Sequence, residues 1–176
     1  YTGVLGPSPR TTTAWIKTTT ADGVIIGWGL LNDGTKWIMR VNQVGGGGEL
    51  RCEVDAGYHY GTTKVNDDEW HHVAGVLEDD GSPDIAEVKL YVDGVRDADN
   101  TDLADEPINT IEDMDVTIGQ NPQSLASRSF GGLLDEIRVY DRALTHAEIQ
   151  AVMNEAGQDF PVARAPSPED GSLYVN

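Results

Sequence analysis

Short apolar runs with a period of two recur along the chain, each closed by a break rich in Gly, Asp or Asn. Side chains alternate across a strand, so this period predicts half-buried β-strands. Ala14 and Ile16 share a side within 10–17, Trp37, Met39 and Val41 within 35–41, and Leu50, Cys52 and Val54 within 49–55. Further strands are predicted over 24–30, 70–77, 86–95 and 116–119, and either a strand or a Tyr/His-rich loop over 57–64. Asn32-Asp33-Gly34 and Asp93-Gly94 carry residues that tolerate the positive φ angles of tight hairpins. The rows Leu50/Cys52/Val54, Val88/Leu90/Val92, Val116/Ile118 and Ile137/Val139 form the predicted core.

The most informative stretch is 131–149. At period two, Leu133, Asp135, Ile137 and Val139 share one face, which puts a carboxylate on the apolar row. A buried carboxylate is costly unless it meets a cation or several donors. Downstream, Thr145 and Glu148 are spaced as a capping box, and Leu144 and Ile149 as a hydrophobic staple. A helix of about two turns is predicted to follow, ending near Gly157.

The run from Gly132 through Asp135-Glu136-Ile137-Arg138-Val139-Tyr140-Asp141-Arg142-Ala143-Leu144-Thr145 to Glu148-Ile149 resembles the closing motif of laminin G-like domains of the concanavalin A-like lectin/glucanase superfamily. Trp70-His71-His72-Val73-Ala74, the strand ending in Asp93-Gly94, and Ala14-Trp15-Ile16-Lys17 are similar to further motifs of that family. The resemblance covers nearly the whole chain and is far more specific for fold than for function. It implies an all-β protein: a two-sheet antiparallel β-sandwich of the jelly-roll type, about a dozen strands with one short C-terminal helix. It also implies one structural calcium with Asp135 as a ligand, since carboxylate and carbonyl oxygens suit that ion. The alternative is that Asp135 caps backbone N–H groups at the strand start.

Length and charge narrow the rest. The chain of 176 residues suits one well-cored domain, read here as 1–160, followed by a Pro-rich linker over 161–176. That linker resembles the joint into a following module in large bacterial secreted proteins. The chain begins on Tyr1 rather than Met, and it is read as a module excised from a larger secreted or cell-surface protein. The formal charge of −18 opposes a nucleic-acid partner and an anionic membrane. No apolar run approaches the roughly 20 residues of a membrane-spanning helix. The single cysteine, Cys52, rules out an internal disulfide and sits on an apolar row, as a buried inert thiol would.

For chemistry, a glycan-binding face needs flat rings and planar hydrogen-bonding groups on a rigid scaffold. Trp28, Trp37, Tyr58 and Tyr60 are the candidate rings, and Arg40 and Arg51, with Asn42 and Gln120, the candidate polar groups. Arg40 and Arg51 alternate with the apolar rows of their strands, so neighbouring strands would bring them together on the exposed face as a local basic patch suited to a carboxylated or sulfated sugar. The Trp residues also fit core positions. Adjacent His71 and His72 point to opposite faces of a strand and cannot chelate one ion from it. Asp97 to Asp102 lacks the Gly that a calcium loop of the EF-hand type requires at its sixth position. Glu53-Val54-Asp55 begins the acidic run of a retaining glucanase, but Tyr58 stands where the closing acid belongs. The expectation is therefore a non-catalytic, lectin-like accessory module that recognises a polysaccharide or glycoconjugate. The alternative is a protein-interaction or spacer module with no glycan ligand.

Overall fold

A computed structural model of the chain describes residues 1–78, 80–100, 104–124 and 127–156. The predicted linker over 161–176 and the end of the helix near Gly157 lie outside them. Among the described residues ten strands form two antiparallel five-stranded sheets. They are β1 (Arg10–Thr18), β2 (Val24–Gly29), β3 (Lys36–Val41), β4 (Glu49–Glu53), β5 (Tyr58–Lys64), β6 (Trp70–Leu77), β7 (Lys89–Val92), β8 (Val95–Arg96), β9 (Thr117–Ile118) and β10 (Gly132–Tyr140). One sheet runs β10-β1-β6-β7-β8 and the other β5-β4-β3-β2-β9. Sequence-distant strands thus meet: β10 pairs with β1, and β9 with β2. This is the expected β-sandwich, with ten strands among the described residues against the expected number of about a dozen. Residues 86–95, read as one strand, divide into a 3-10 turn at Ile85–Glu87, β7, and a turn into β8. Among the described residues no helix is long and apolar enough to cross a membrane.

The inner faces of the two sheets close on a core containing Ile16, Trp28, Trp37, Met39, Leu50, Cys52, Val73 and Leu90. Leu50/Cys52/Val54 and Val88/Leu90/Val92 take their expected places, whereas Ile118 is 44% exposed because β9 is a two-residue edge strand. Between the sheets, Gly75 of β6 has no room for a side chain: a Cβ there would lie 2.7 Å from Cys52 Sγ. Gly75→Ala must push the sheets apart or displace the thiol, so it is expected to cost about 1–3 kcal/mol in urea denaturation. A neutral result would mean that this contact yields freely. Burial also pushes the Cys52 thiol far up, consistent with an inert core residue.

The closing stretch corrects one expectation. Trp15 faces Asp135 and Thr13 faces Arg138, so Glu136 and Ile137 together oppose the single residue Ala14. This β-bulge, with Glu136 at φ +47°, reverses the side-chain alternation. Leu134, Ile137 and Val139 turn to the core, and Asp135 turns out into solvent beside exposed Leu133. The helix α1 (His146–Ala156) runs 11 residues, longer than predicted. Its capping box is formed: Thr145 N–H donates to Glu148 Oε2 at 2.8 Å, and Glu148 N–H to Thr145 Oγ1 at 3.3 Å. Leu144 and Ile149 are buried against Ala74, Val76 and Tyr91, which seats α1 on the outer face of the first sheet.

Candidate functional site

The outer face of the second sheet carries the candidate site. On β3, Lys36 and Arg40 alternate with core residues Trp37 and Met39; on β4, Arg51 and Glu53 alternate with Cys52. Antiparallel pairing sets Arg40 directly opposite Arg51, and Glu53 opposite Tyr58 of β5. The two arginines therefore do meet, as the alternation requires. They do not form a bare basic patch, because Glu53 reaches between them.

Glu53 is the hub. Its Oε2 lies 2.9 Å from Arg40 Nε and 3.0 Å from Arg51 Nε, and its Oε1 lies 3.0 Å from Arg128 Nη1 and 3.4 Å from Lys36 Nζ. Arg51 Nε is close enough to form an ion pair, yet its N–H is not aimed at that oxygen. Burial alone would raise the Glu53 carboxyl, but the fields of Arg40, Lys36, Arg51 and Arg128 outweigh it and hold the group down at about 2. Asp55 pairs with Lys36, and Asp22 with both Arg40 and Arg128.

Beside this network opens a cleft of about 560 Å³. Lys36, Arg51, Glu53 and Tyr58 line its sheet side; Leu31, Asp55, Asn121, Gln123, Ser127 and Arg128 are among the loop residues that complete it. The guanidinium carbon of Arg51 stands 4.1 Å from the centroid of the Tyr58 ring, and Tyr60 stacks behind Tyr58 at 6.2 Å. Burial depresses the Arg51 guanidinium below its ordinary value, so its charge is held where water cannot fully solvate it. The rim is also strained. Asp55 (φ +50°), Ala56 (φ +54°) and Arg128 (φ +55°) line the cleft in the left-handed region, and Asp22 (φ +71°), the partner of Arg128, shares that conformation. Asp tolerates that conformation, whereas Ala and Arg adopt it at a cost, a pattern that gathers where geometry is held for function.

Of the predicted ligand residues, Arg51 and Tyr58 line the cleft. Trp28 and Trp37 do not: both are 0% exposed in the core, where no sugar can reach their rings. Trp28 Nε1 donates to the Val4 carbonyl at 3.0 Å and Trp37 Nε1 to Thr12 Oγ1 at 3.2 Å, so their polar atoms are satisfied internally. Arg40 and Tyr60 are buried beneath the site and support it. Lys36 and Glu53 carry the same period-two signal as Arg40 and Arg51 and were legible in principle. Arg128, 75 residues from Glu53, lies in a loop that offers no such signal.

Asp135, the expected calcium ligand, sits at the bulge. Asp135 is exposed, and its Oδ1 accepts the Glu136 N–H at 2.8 Å, which is the backbone-capping alternative in its most local form. Among the described residues no three His, Cys, Asp or Glu side chains converge to hold an ion.

The comparisons with known proteins agree with the architecture. No curated protein shows significant sequence similarity to the chain. Among solved structures, a candidate carbohydrate binding protein of Bacteroides ovatus is similar at 23% identity and a TM-score of 0.61, over 82% of this chain and 40% of that one. The chain thus spans well under half of that protein's length. Domain 4 of an extracellular arabinanase of Geobacillus stearothermophilus, solved in complex with arabinotriose, matches at 22% identity and 0.58, over 85% and 68%. A heptameric pentraxin of Limulus polyphemus matches at 18% and 0.56, over 87% and 73%. At these identities the likeness shows the fold alone. The family model, in contrast, matches residues 2–150, and the chain belongs to the laminin G-type branch of the concanavalin A-like lectin/glucanases superfamily.

Proposed function

We propose that the protein is a non-catalytic, lectin-like module that binds a polysaccharide or glycoconjugate in the cleft over β3, β4 and β5, within a larger secreted or surface protein. The observation that carries this reading is the cleft itself, of about 560 Å³, built on rigid strands and held by a buried ion network and a strained rim. Arg51, Arg128 and Lys36 offer charged donors, Asn121, Gln123 and Ser127 neutral ones, and Leu31 an apolar contact. The carbohydrate-binding neighbours support the reading by analogy of fold, which does not itself confer a function. A hydrolytic role is disfavoured by the chemistry. Glu53 is held ionised at about 2 and cannot donate a proton to a leaving group near neutrality.

A glycan array probed with the purified protein tests the assignment, followed by calorimetry of Tyr58→Ala against any ligand found. Truncating Tyr58 removes the ring that supports Arg51, and it is expected to weaken binding about tenfold or more. A blank array, or binding indifferent to Tyr58→Ala, would leave the spacer or protein-interaction alternative in possession.

A further inference from the structure

We infer that the cleft selects a sugar bearing an anionic oxygen group, a uronate carboxylate or a sulfate ester, and seats that group against Arg51 and Arg128 with Lys36 nearby. The inference rests on the glycan reading of the same cleft and narrows its ligand class. The first ground is the distribution of charge. The chain carries 30 Asp and Glu against 12 Lys and Arg. Yet four of those cations, Lys36, Arg40, Arg51 and Arg128, gather here against three carboxylates, Asp22, Glu53 and Asp55. Everywhere else the excess is strongly acidic, so this is a local reversal of sign that an anion would enter and the rest of the surface would repel.

The second ground is unfilled donor capacity. Arg51 holds Nε 3.0 Å from Glu53 Oε2 without aiming its N–H there, and donates from Nη1 to Asn42 Oδ1 at 3.4 Å. Arg128 directs Nε to Asp22 at 3.4 Å and Nη1 to Glu53 at 3.0 Å. The Nη2 groups of both guanidinia take no hydrogen bond among the described residues, and both arginines line the cleft. Two guanidinia with spare N–H groups, fixed by a shared carboxylate, match the planar oxygens of a carboxylate or the tetrahedral oxygens of a sulfate.

The third ground separates anionic from neutral sugars. Recognition of a neutral pyranose relies on a bare aromatic face. This site has none ready: Trp28 and Trp37 are in the core, and the Tyr58 ring is capped by Arg51. What the cleft presents in place of a ring face is a desolvated cation.

Titration calorimetry with four probes tests this: an oligogalacturonide, its fully methyl-esterified form, a sulfated galactan oligosaccharide and the unsulfated galacto-oligosaccharide. At least one anionic probe is expected to bind about tenfold or more tighter than its neutral counterpart, because each charge-assisted hydrogen bond is worth about that factor. Its affinity should fall as salt rises. Arg128 is partly exposed and on a loop, so Arg128→Gln is expected to fold and to lose about the same factor for the anionic probe only; the salt dependence of the unaltered protein supplies an independent check. Which anionic probe wins identifies carboxylate or sulfate. Neutral probes binding as tightly, with no salt effect, would overturn anion selection and leave the glycan reading standing. No binding by any of the four, together with a blank array, would overturn both.

Discussion

Glu53→Gln is expected to be the most destabilising substitution on the outer face of the second sheet, at about 3–5 kcal/mol, although it changes no volume. Four cations converge on that one carboxylate, and Arg40 and Lys36 are buried with it. Neutralising the hub leaves their charges desolvated and only partly offset by Asp22 and Asp55. The depressed carboxyl gives a consistent figure. A group at about 2 in the folded protein and about 4.5 unfolded contributes about 3 kcal/mol, fully present above pH 4.5 and lost as pH falls through 2. Glu53→Gln should therefore lower the urea midpoint at pH 7 and remove this part of the acid sensitivity. A variant as stable as the parent would show that Glu53 is a passenger in the cleft, and the preorganisation of Arg51 and Arg128 would have to come from elsewhere.

The second large effect concerns His72. It lies 1% exposed on the helix-facing side of β6, with its ring edge-on to Trp15 at 5.6 Å. Among the described residues neither of its ring nitrogens has a hydrogen-bond partner. Burial lowers the imidazole to about 4, against a weaker upward pull from Asp93 and with a further downward push from Arg138. The folded protein thus refuses a proton that the unfolded chain accepts at about pH 6.5. Stability is undiminished above that pH and falls by about 3 kcal/mol as pH drops from 6.5 to 4. Buried His59 is also lowered and acts in the same direction. His71 behaves oppositely: burial would lower it, but hydrogen bonds to Asp93 and Asp67 raise it, so its contribution is complete below pH 6.5 and fades at higher pH. His72→Leu isolates the effect. Urea denaturation across pH 7.5 to 4.5 should show a slope shallower by about one proton, roughly 1.4 kcal/mol per pH unit at its steepest. An unchanged slope would mean that His72 is protonated in the fold.

The adjacent histidines illustrate how much local pattern reveals. Period two alone separates His71 from His72 and denies them a shared ion, and the structure sends one to Asp67 and Asp93 and buries the other beside Trp15. The same alternation places Cys52 in the core and Arg40 and Arg51 on one outer face. It cannot say whether an outer face is open. Arg40 is covered: it is 1% exposed and pairs with Asp22 of a separate loop. Nor does it detect one inserted residue: the bulge opposite Ala14 turned Asp135 from the predicted apolar row into solvent.

What the amino-acid order determined by itself is everything governed by nearest neighbours along the chain: strand positions, the Thr145–Glu148 cap, and the core rows of β3, β4 and β7. Strand periodicity and capping are local physics, settled within a few residues. Only the tertiary structure decided which charges share a carboxylate, which rings lose contact with water, and where a cleft opens. Those outcomes depend on Glu53 meeting Arg128 at a sequence separation of 75, and on whether burial of each charge is offset by a partner that no local pattern names.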